Sequence, residues 1–288
     1  MQPESFILAH EPSIRLALFA LVFAGVALWE VLAPRRALTV SRAMRWTSNL
    51  TLVALNTLLL RLAFPLAAAG MAAFCVGRGW GVLNHFQVPF WFAVPIGVIA
   101  MDCVIWLQHV MVHAVPALWR LHRVHHADLD YDVTTGARFH PIEIALSMLI
   151  KFATITVLGP PVLAVVIFEV LLNATAMFNH GNIRLPAGLD RVLRWVVVTP
   201  DMHRVHHSVE DDEANSNFGF NLPWWDRLLG TYRAQPRGGH EAMTIGIREH
   251  RDPRDVARLG GMLMLPWRGE GVGYAINRRD WRDEQVGR

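Results

Sequence analysis

Eight of the fourteen histidines in this chain fall into groups whose spacing suits metal binding, and a ninth joins them as a single residue. His109 and His113 stand four apart in H-V-M-V-H, and His122, His125 and His126 form H-R-V-H-H. His203, His206 and His207 repeat that second motif, and His180 stands alone in N-H-G-N. Positions i, i+3 and i+4 share one helix face, so each group aims its imidazoles together. Neutral imidazole is a nitrogen donor suited to iron, zinc or copper. One first-row ion takes at most about six ligands, so nine imidazoles point to two ions. Packing does not call for adjacent histidine pairs, and burying them unpaired costs about several kcal/mol. A membrane-surface pH sensor built of histidines is the competing reading.

Other polar residues are less regular. His140, in R-F-H-P-I-E, reads as a ligand, as a donor behind the ligands, or as a helix-start residue beside Pro141. Asp102 lies about two helical turns before His109 and shares its face. It either holds a ligand histidine by its second nitrogen or makes a polar contact within a helix bundle. His10, His85, His240 and His250 are isolated and read as ordinary solvent or interface histidines. Arg61 and Lys151 sit inside hydrophobic segments, where a charge either serves function, snorkels, or pairs with a neighbour such as Glu169.

The elements that must position these groups are long apolar blocks. Ile14 to Ala33 has about the 20 residues that a spanning helix needs. Leu50 to Val76 is a second span, interrupted by Arg61, and Val88 to about Val112 a third. Ile142 to Leu158 and Pro161 to Phe178 read as a tight helical hairpin about Gly159-Pro160-Pro161, either spanning or re-entrant. The first connection holds Arg35, Arg36, Arg42 and Arg45, so the positive-inside rule places it in the cytoplasm. Counting crossings from there brings every histidine group to that same face. The fold expected is all-α and integral to a membrane, with four to five transmembrane or re-entrant helices and a cytoplasmic helical cap. Its divisions are 1–87 (N-terminal membrane helices), 88–235 (histidine-motif catalytic domain) and 236–288 (cytoplasmic tail).

Composition agrees. The chain is 53% hydrophobic and 18% charged, against about a quarter charged in soluble domains. The net charge of +3 comes from arginines between hydrophobic blocks, which is no nucleic-acid footprint. Cys75 and Cys103 offer neither a disulfide framework nor a thiolate site, so any metal is held by nitrogen or oxygen. The first Arg is Arg15, so the N-terminus lacks the basic region of a cleaved signal peptide and the first block is expected to stay. The Arg- and Ala-rich, almost Lys-free composition suggests a bacterium, hence its inner membrane.

The order H-x-x-x-H, H-x-x-H-H, a lone His after a hydrophobic hairpin, then H-x-x-H-H resembles the fatty acid hydroxylase and sterol desaturase superfamily. R-F-H-P-I-E at Arg138 to Glu143, N-F-G at Asn217 to Gly219, and W-W-D-R-L-L-G-T-Y at Trp224 to Tyr232 also match it. The resemblance covers about Val98 to Arg233. It implies two iron ions held by His109, His113, His122, His125, His126, His180, His203, His206 and His207, with no catalytic residue separate from these ligands. Zinc can replace iron in such proteins on purification. It also implies O2 as co-substrate, a separate electron-donor protein, and a membrane lipid substrate. The lipid is a fatty acyl chain, sterol, ether lipid or carotenoid, hydroxylated or desaturated at a C–H bond. Asn217 and Asp226 are expected behind the ligands or anchoring the cap. Some members carry a further histidine four residues before the lone one, where this chain has Ala176. Two other functions fit a histidine-rich membrane chain. A zinc-dependent membrane hydrolase would be expected to carry H-E-x-x-H, which is absent. A non-enzymatic metal-binding membrane protein would place its ligands along a path through the membrane's middle.

Overall fold

The computed structural model describes residues 3–269, so the end of the expected 236–288 tail lies outside the described residues. Among the described residues the chain is helical, with no strand and only two isolated β-bridges. Five helical segments are long and apolar enough to cross a membrane. The first is α1 (Pro3–Leu32), which packs along α8 (Val162–Asn179).

The second apolar block is not one helix. It divides into α2 (Arg42–Ala63) and α3 (Ala68–Arg78), so the span expected from Leu50 to Val76 is broken after Ala63 and not at Arg61. Pro65 is the cause: it lacks an N–H and disfavours helical dihedrals at the residue before it. Phe64 accordingly turns out to φ −122° and ψ 95°. Arg61, at the end of α2, faces outward and is exposed. A single turn, α4 (Val82–His85), then leads to α5 (Phe90–Ala114).

Proline also shapes the helices that carry the histidines. Val115 leaves the helical region at φ −101° and ψ 114°, and Pro116 starts α6 (Pro116–His126). The corner turns α6 back against α5, so the two carry facing histidines. The expected hairpin is present as α7 (Pro141–Leu158) and α8. Gly159 ends α7 in the left-handed region at φ 65°, and Pro161 caps the start of α8. The hairpin tip packs on Gly81, whose φ of 96° also demands glycine.

Beyond α8 the helices are short: α9 (Ala187–Leu193), α10 (Pro200–His206), α11 (Asp211–Ala214), α12 (Trp224–Leu228), α13 (Gly239–Ala242), α14 (Pro253–Val256) and α15 (Leu259–Met264). They share a core with the membrane helices, in which Leu52 of α2 and Trp119 and Val124 of α6 pack with Val256, Met262 and Leu265. A buried ion cluster ties this layer down. Arg45 donates to Asp128 at 2.7 and 2.8 Å and also to Asp132, and all three side chains are sealed from solvent. Arg138 is equally buried and donates through Nε to the Val124 carbonyl at 2.7 Å.

Candidate metal centre

All nine clustered histidines come together, in two groups. His109, His113, His122, His126 and His206 form one, and His125, His180, His203 and His207 the other. Within each, one ring nitrogen per residue lies within 4.8 Å of all the others, and all nine side chains are buried. Helix ends deliver them: the last turns of α5 and α6, the C-cap of α8, and α10, which Thr199 caps and Pro200 starts.

In five of the nine, the ring nitrogen that faces away from the group is tied to an acceptor. His109 Nδ1 donates to the Phe218 carbonyl at 2.7 Å, His206 Nδ1 to that of Ser216 at 2.7 Å, and His180 Nδ1 to that of Ala176 at 2.7 Å. His122 Nδ1 meets Glu143 Oε1 at 2.6 Å, and His113 Nδ1 meets Asn215 Oδ1 at 3.3 Å. An imidazole whose Nδ1 carries the proton presents a bare lone pair at Nε2.

Those Nε2 atoms converge. His109 faces His122 at 3.1 Å and His206 at 3.0 Å, His113 faces His126 at 3.1 Å, and His125 faces His180 at 3.2 Å. Lone pairs at this separation repel unless a cation lies against both. Two nitrogens adjacent on one first-row ion, each bound at about 2.0–2.1 Å, sit about 3 Å apart, so the donor set fits metal. Neither ring nitrogen of His207 has a hydrogen-bond partner either.

Electrostatics favour the neutral form of several of these imidazoles. Burial first, and neighbouring imidazoles second, push His125, His126, His203, His206 and His207 well below the ordinary histidine value. Burial lowers His180 to about 3, although its bond to the Ala176 carbonyl opposes the shift. Neutral imidazole is the metal-binding form. Aromatic rings exclude water around it: Phe139 stacks on His125 with centroids 4.5 Å apart, and Tyr131 on His180 at 5.4 Å.

The remaining candidates sit elsewhere. His140 belongs to neither group; it caps α7 by accepting from Ile142 N–H at 3.2 Å, and its Nε2 meets the Leu263 carbonyl at 3.3 Å. Asp102 accepts from the Trp225 indole at 2.7 Å, which is the polar bundle contact among its two readings. Asn217 donates to the Met202 and Arg233 carbonyls and accepts from Arg233 N–H, pinning the loop beside α10. Asp226 accepts from the N–H groups of Phe218 and Gly219 at 2.9 and 2.8 Å and from the Trp106 indole at 3.0 Å. It thereby holds the carbonyl to which His109 donates. His240, read as a solvent or interface histidine, is buried 3.7 Å from Asp201. Ala176 lies beside the four-membered group, the smaller of the two.

Glu143 and the acceptor carbonyls were not assigned roles from sequence. Glu143 carries a signal only as the last residue of R-F-H-P-I-E, and a carbonyl carries none. A cavity of about 310 Å³ opens against His109 and His122 between the membrane helices, walled by Phe19, Leu60, Ile105 and Met148. Lys151 also lines it and pairs with Glu169 at 2.9 Å, and Arg15 meets the same carboxylate at 2.8 Å.

Comparison with known proteins bears on this arrangement. Residues 94–231 match the fatty acid hydroxylase family model, a stretch that holds all nine histidines. Ornithine lipid hydroxylase OlsE of Rhizobium tropici is 30% identical over 226 residues, which cover 77% of this chain and 66% of that protein. Alkylglycerol monooxygenase of Xenopus tropicalis is 29% identical over 163 residues, 53% of this chain and 34% of the relative. Cholesterol 25-hydroxylase of Homo sapiens is 26% identical over 136 residues, 46% and 47% respectively. The chain thus spans just under two thirds of the first of these relatives and no more than half of the others. No solved structure matches the chain.

Proposed function

The chain belongs to the fatty acid hydroxylase family, and from that premise we propose that it is a membrane-bound, oxygen-dependent di-iron enzyme that hydroxylates or desaturates a lipid C–H bond. One observation supports this most: two buried sets of imidazoles whose ring nitrogens converge, one of which forms the wall of a cavity between apolar helices. The nine histidines are the ligands in this reading, five for one ion and four for the other. Bound iron would supply redox chemistry with molecular oxygen, which neutral imidazole ligation suits. The relatives act, by name, on ornithine lipids, alkylglycerols and cholesterol. A lipid is correspondingly the substrate class proposed here.

The protein's own groups have three tasks. The carbonyls of Phe218, Ser216 and Ala176 and the carboxylate of Glu143 orient the imidazoles by accepting hydrogen bonds from their Nδ1–H groups. Phe139, Tyr131 and Trp119 keep water from the site. The cavity walls admit a chain from the bilayer and hold it against His109 and His122. Electrons come from a separate donor protein. The site lies on the cytoplasmic face of a bacterial inner membrane, supported by the arginines of the first connection, which sit at the same end as the histidines and bond to residues near them.

Metal analysis of protein purified into detergent tests the reading. Two irons per chain, with reductant-driven oxygen uptake and an oxidised lipid product, are expected. Protein that is reconstituted with iron, stays folded and remains redox-inert would overturn it.

A further inference from the structure

Large apolar side chains are exposed over most of α1, α2, α5 and α7, as lipid-facing helices require. One further patch lies outside the spans. Leu189, Val192, Trp195, Val196, Trp224, Leu228 and Leu229 are exposed in the layer of short helices after α8, Val192 by 65%, Trp195 by 61% and Leu228 by 74%. They form one unit, because the Trp224 indole donates to the Trp195 carbonyl at 2.8 Å and Arg227 donates to that of Arg194 at 2.9 Å. An exposed apolar cluster of this kind marks an interaction surface.

Its level along α5 identifies the occupant. Trp225 bonds Asp102, and Asp226 bonds the Trp106 indole, so the unit is clamped to the side of α5 below the histidines. Counting about 20 residues from Phe90 brings the far edge of the hydrocarbon layer to about His109. At 1.5 Å per residue, Asp102 then lies about 10 Å inside that edge and Trp106 about 4 to 5 Å inside. The apolar face of an interfacial helix is buried to about 5–10 Å, the same depth. Beside the clamp, Leu107, the residue after Trp106 on α5, is itself 52% exposed, as a lipid-facing side chain is. Charge is screened at this level: the Arg227 guanidinium lies 4.0 Å from the ring centroids of both Trp195 and Tyr232. Tryptophan and arginine beside aliphatic side chains are the composition of the boundary between head groups and acyl chains.

We propose that the unit from Ala187 to Leu229 is a monotopic membrane anchor, its apolar rim seated in the acyl-chain boundary beside α5 and not in water above the bilayer. The anchor carries Phe218 and Asp226, so membrane seating also fixes the loop that orients His109. It requires only that the chain spans a membrane, and is independent of the reaction proposed above.

Collision accessibility of a nitroxide tests it. Val192→Cys, Leu228→Cys and, as a control on an exposed helix, Arg254→Cys would each be spin-labelled in a full-length chain with Cys75 and Cys103 replaced by alanine. The chains are placed in nanodiscs of phosphatidylethanolamine and phosphatidylglycerol, and relaxation by O2 is compared with that by a water-soluble nickel chelate. The ratio of oxygen to nickel collisions should be several-fold higher at positions 192 and 228 than at 254. A ratio equal to that at 254 would place the patch in water and overturn the proposal. Low collision rates with both agents would overturn it too, because a protein, such as a second copy of this chain, would then cover the patch.

Discussion

Glu143 shows how much of a metal centre rests on residues that are not ligands. It accepts a hydrogen bond from His122 Nδ1–H at 2.6 Å, fixing the tautomer and the ring's direction. Losing such a partner costs about 10–100-fold in metal affinity or activity. Glu143→Ala is expected to weaken metal binding on that scale in a chelator competition titration. Glu143→Gln, which keeps an acceptor oxygen, should lose far less. Equal affinity in Glu143→Ala and the parent would show that His122 needs no such support. Eight of the nine histidines are legible in the sequence because each of their three groups lies within five residues, where helical geometry alone decides which side chains share a face; His180, alone in N-H-G-N, has no such local signal. Glu143 has none either, because its partner lies 21 residues away across the turn between α6 and α7. Asp102 shares the His109 face by helical spacing, yet its partner is Trp225, 123 residues away, which no local pattern could name.

At the scale of elements, hydropathy located the apolar blocks and the hairpin, since long runs and a Gly-Pro-Pro turn are local signals. It passed over the break at Pro65, because averaging over a span hides a single missing donor. Arg45, counted among the orientation charges of the first connection, is also buried between Asp128 and Asp132, a role that charge counting does not reveal. Close backbone approach was also invisible. A Cβ on Gly81 would lie 2.2 Å from the Gly159 nitrogen and 2.4 Å from its Cα, and Gly81 has a φ of 96°. Gly81→Ala is therefore expected to cost at least the roughly 1–3 kcal/mol of an overpacked core, seen as a lower melting temperature in detergent. Gly79→Ala is the control, because its Cβ would enter open space and only its φ of 66° is unfavourable. Equal melting of the two variants would mean that the hairpin tip yields without cost.

For the whole molecule, gathering imidazoles in a sealed centre links stability to pH. In the metal-free protein, burial holds His180 at about 3, and His125, His126, His203, His206 and His207 are likewise well below the ordinary 6.5. Below pH 6.5 the unfolded chain binds protons at these positions while the folded chain does not. Unfolding then takes up protons, and stability falls as pH falls. The loss is at most about 1.4 kcal/mol per pH unit for each imidazole that stays neutral. It begins near 6.5 and ends only when the folded groups titrate. Asp128 acts in a separate window. Burial alone would raise it, but Arg45 and Arg138 hold it at about 2, so its contribution is complete above 3.8 and is lost only as pH falls towards 2. Between pH 5.5 and 6.5 the histidines therefore dominate over this carboxylate. Metal-stripped protein should melt at nearly constant temperature from pH 8 to 7 and at progressively lower temperature from 6.5 to 5.5. Iron-loaded protein should show a fall of the same sign, because protons compete with the metal for the same nitrogens. A metal-stripped melting temperature that stays flat down to pH 5.5 would mean that these imidazoles reach water when metal is removed, contradicting a centre sealed by Phe139, Tyr131 and Trp119.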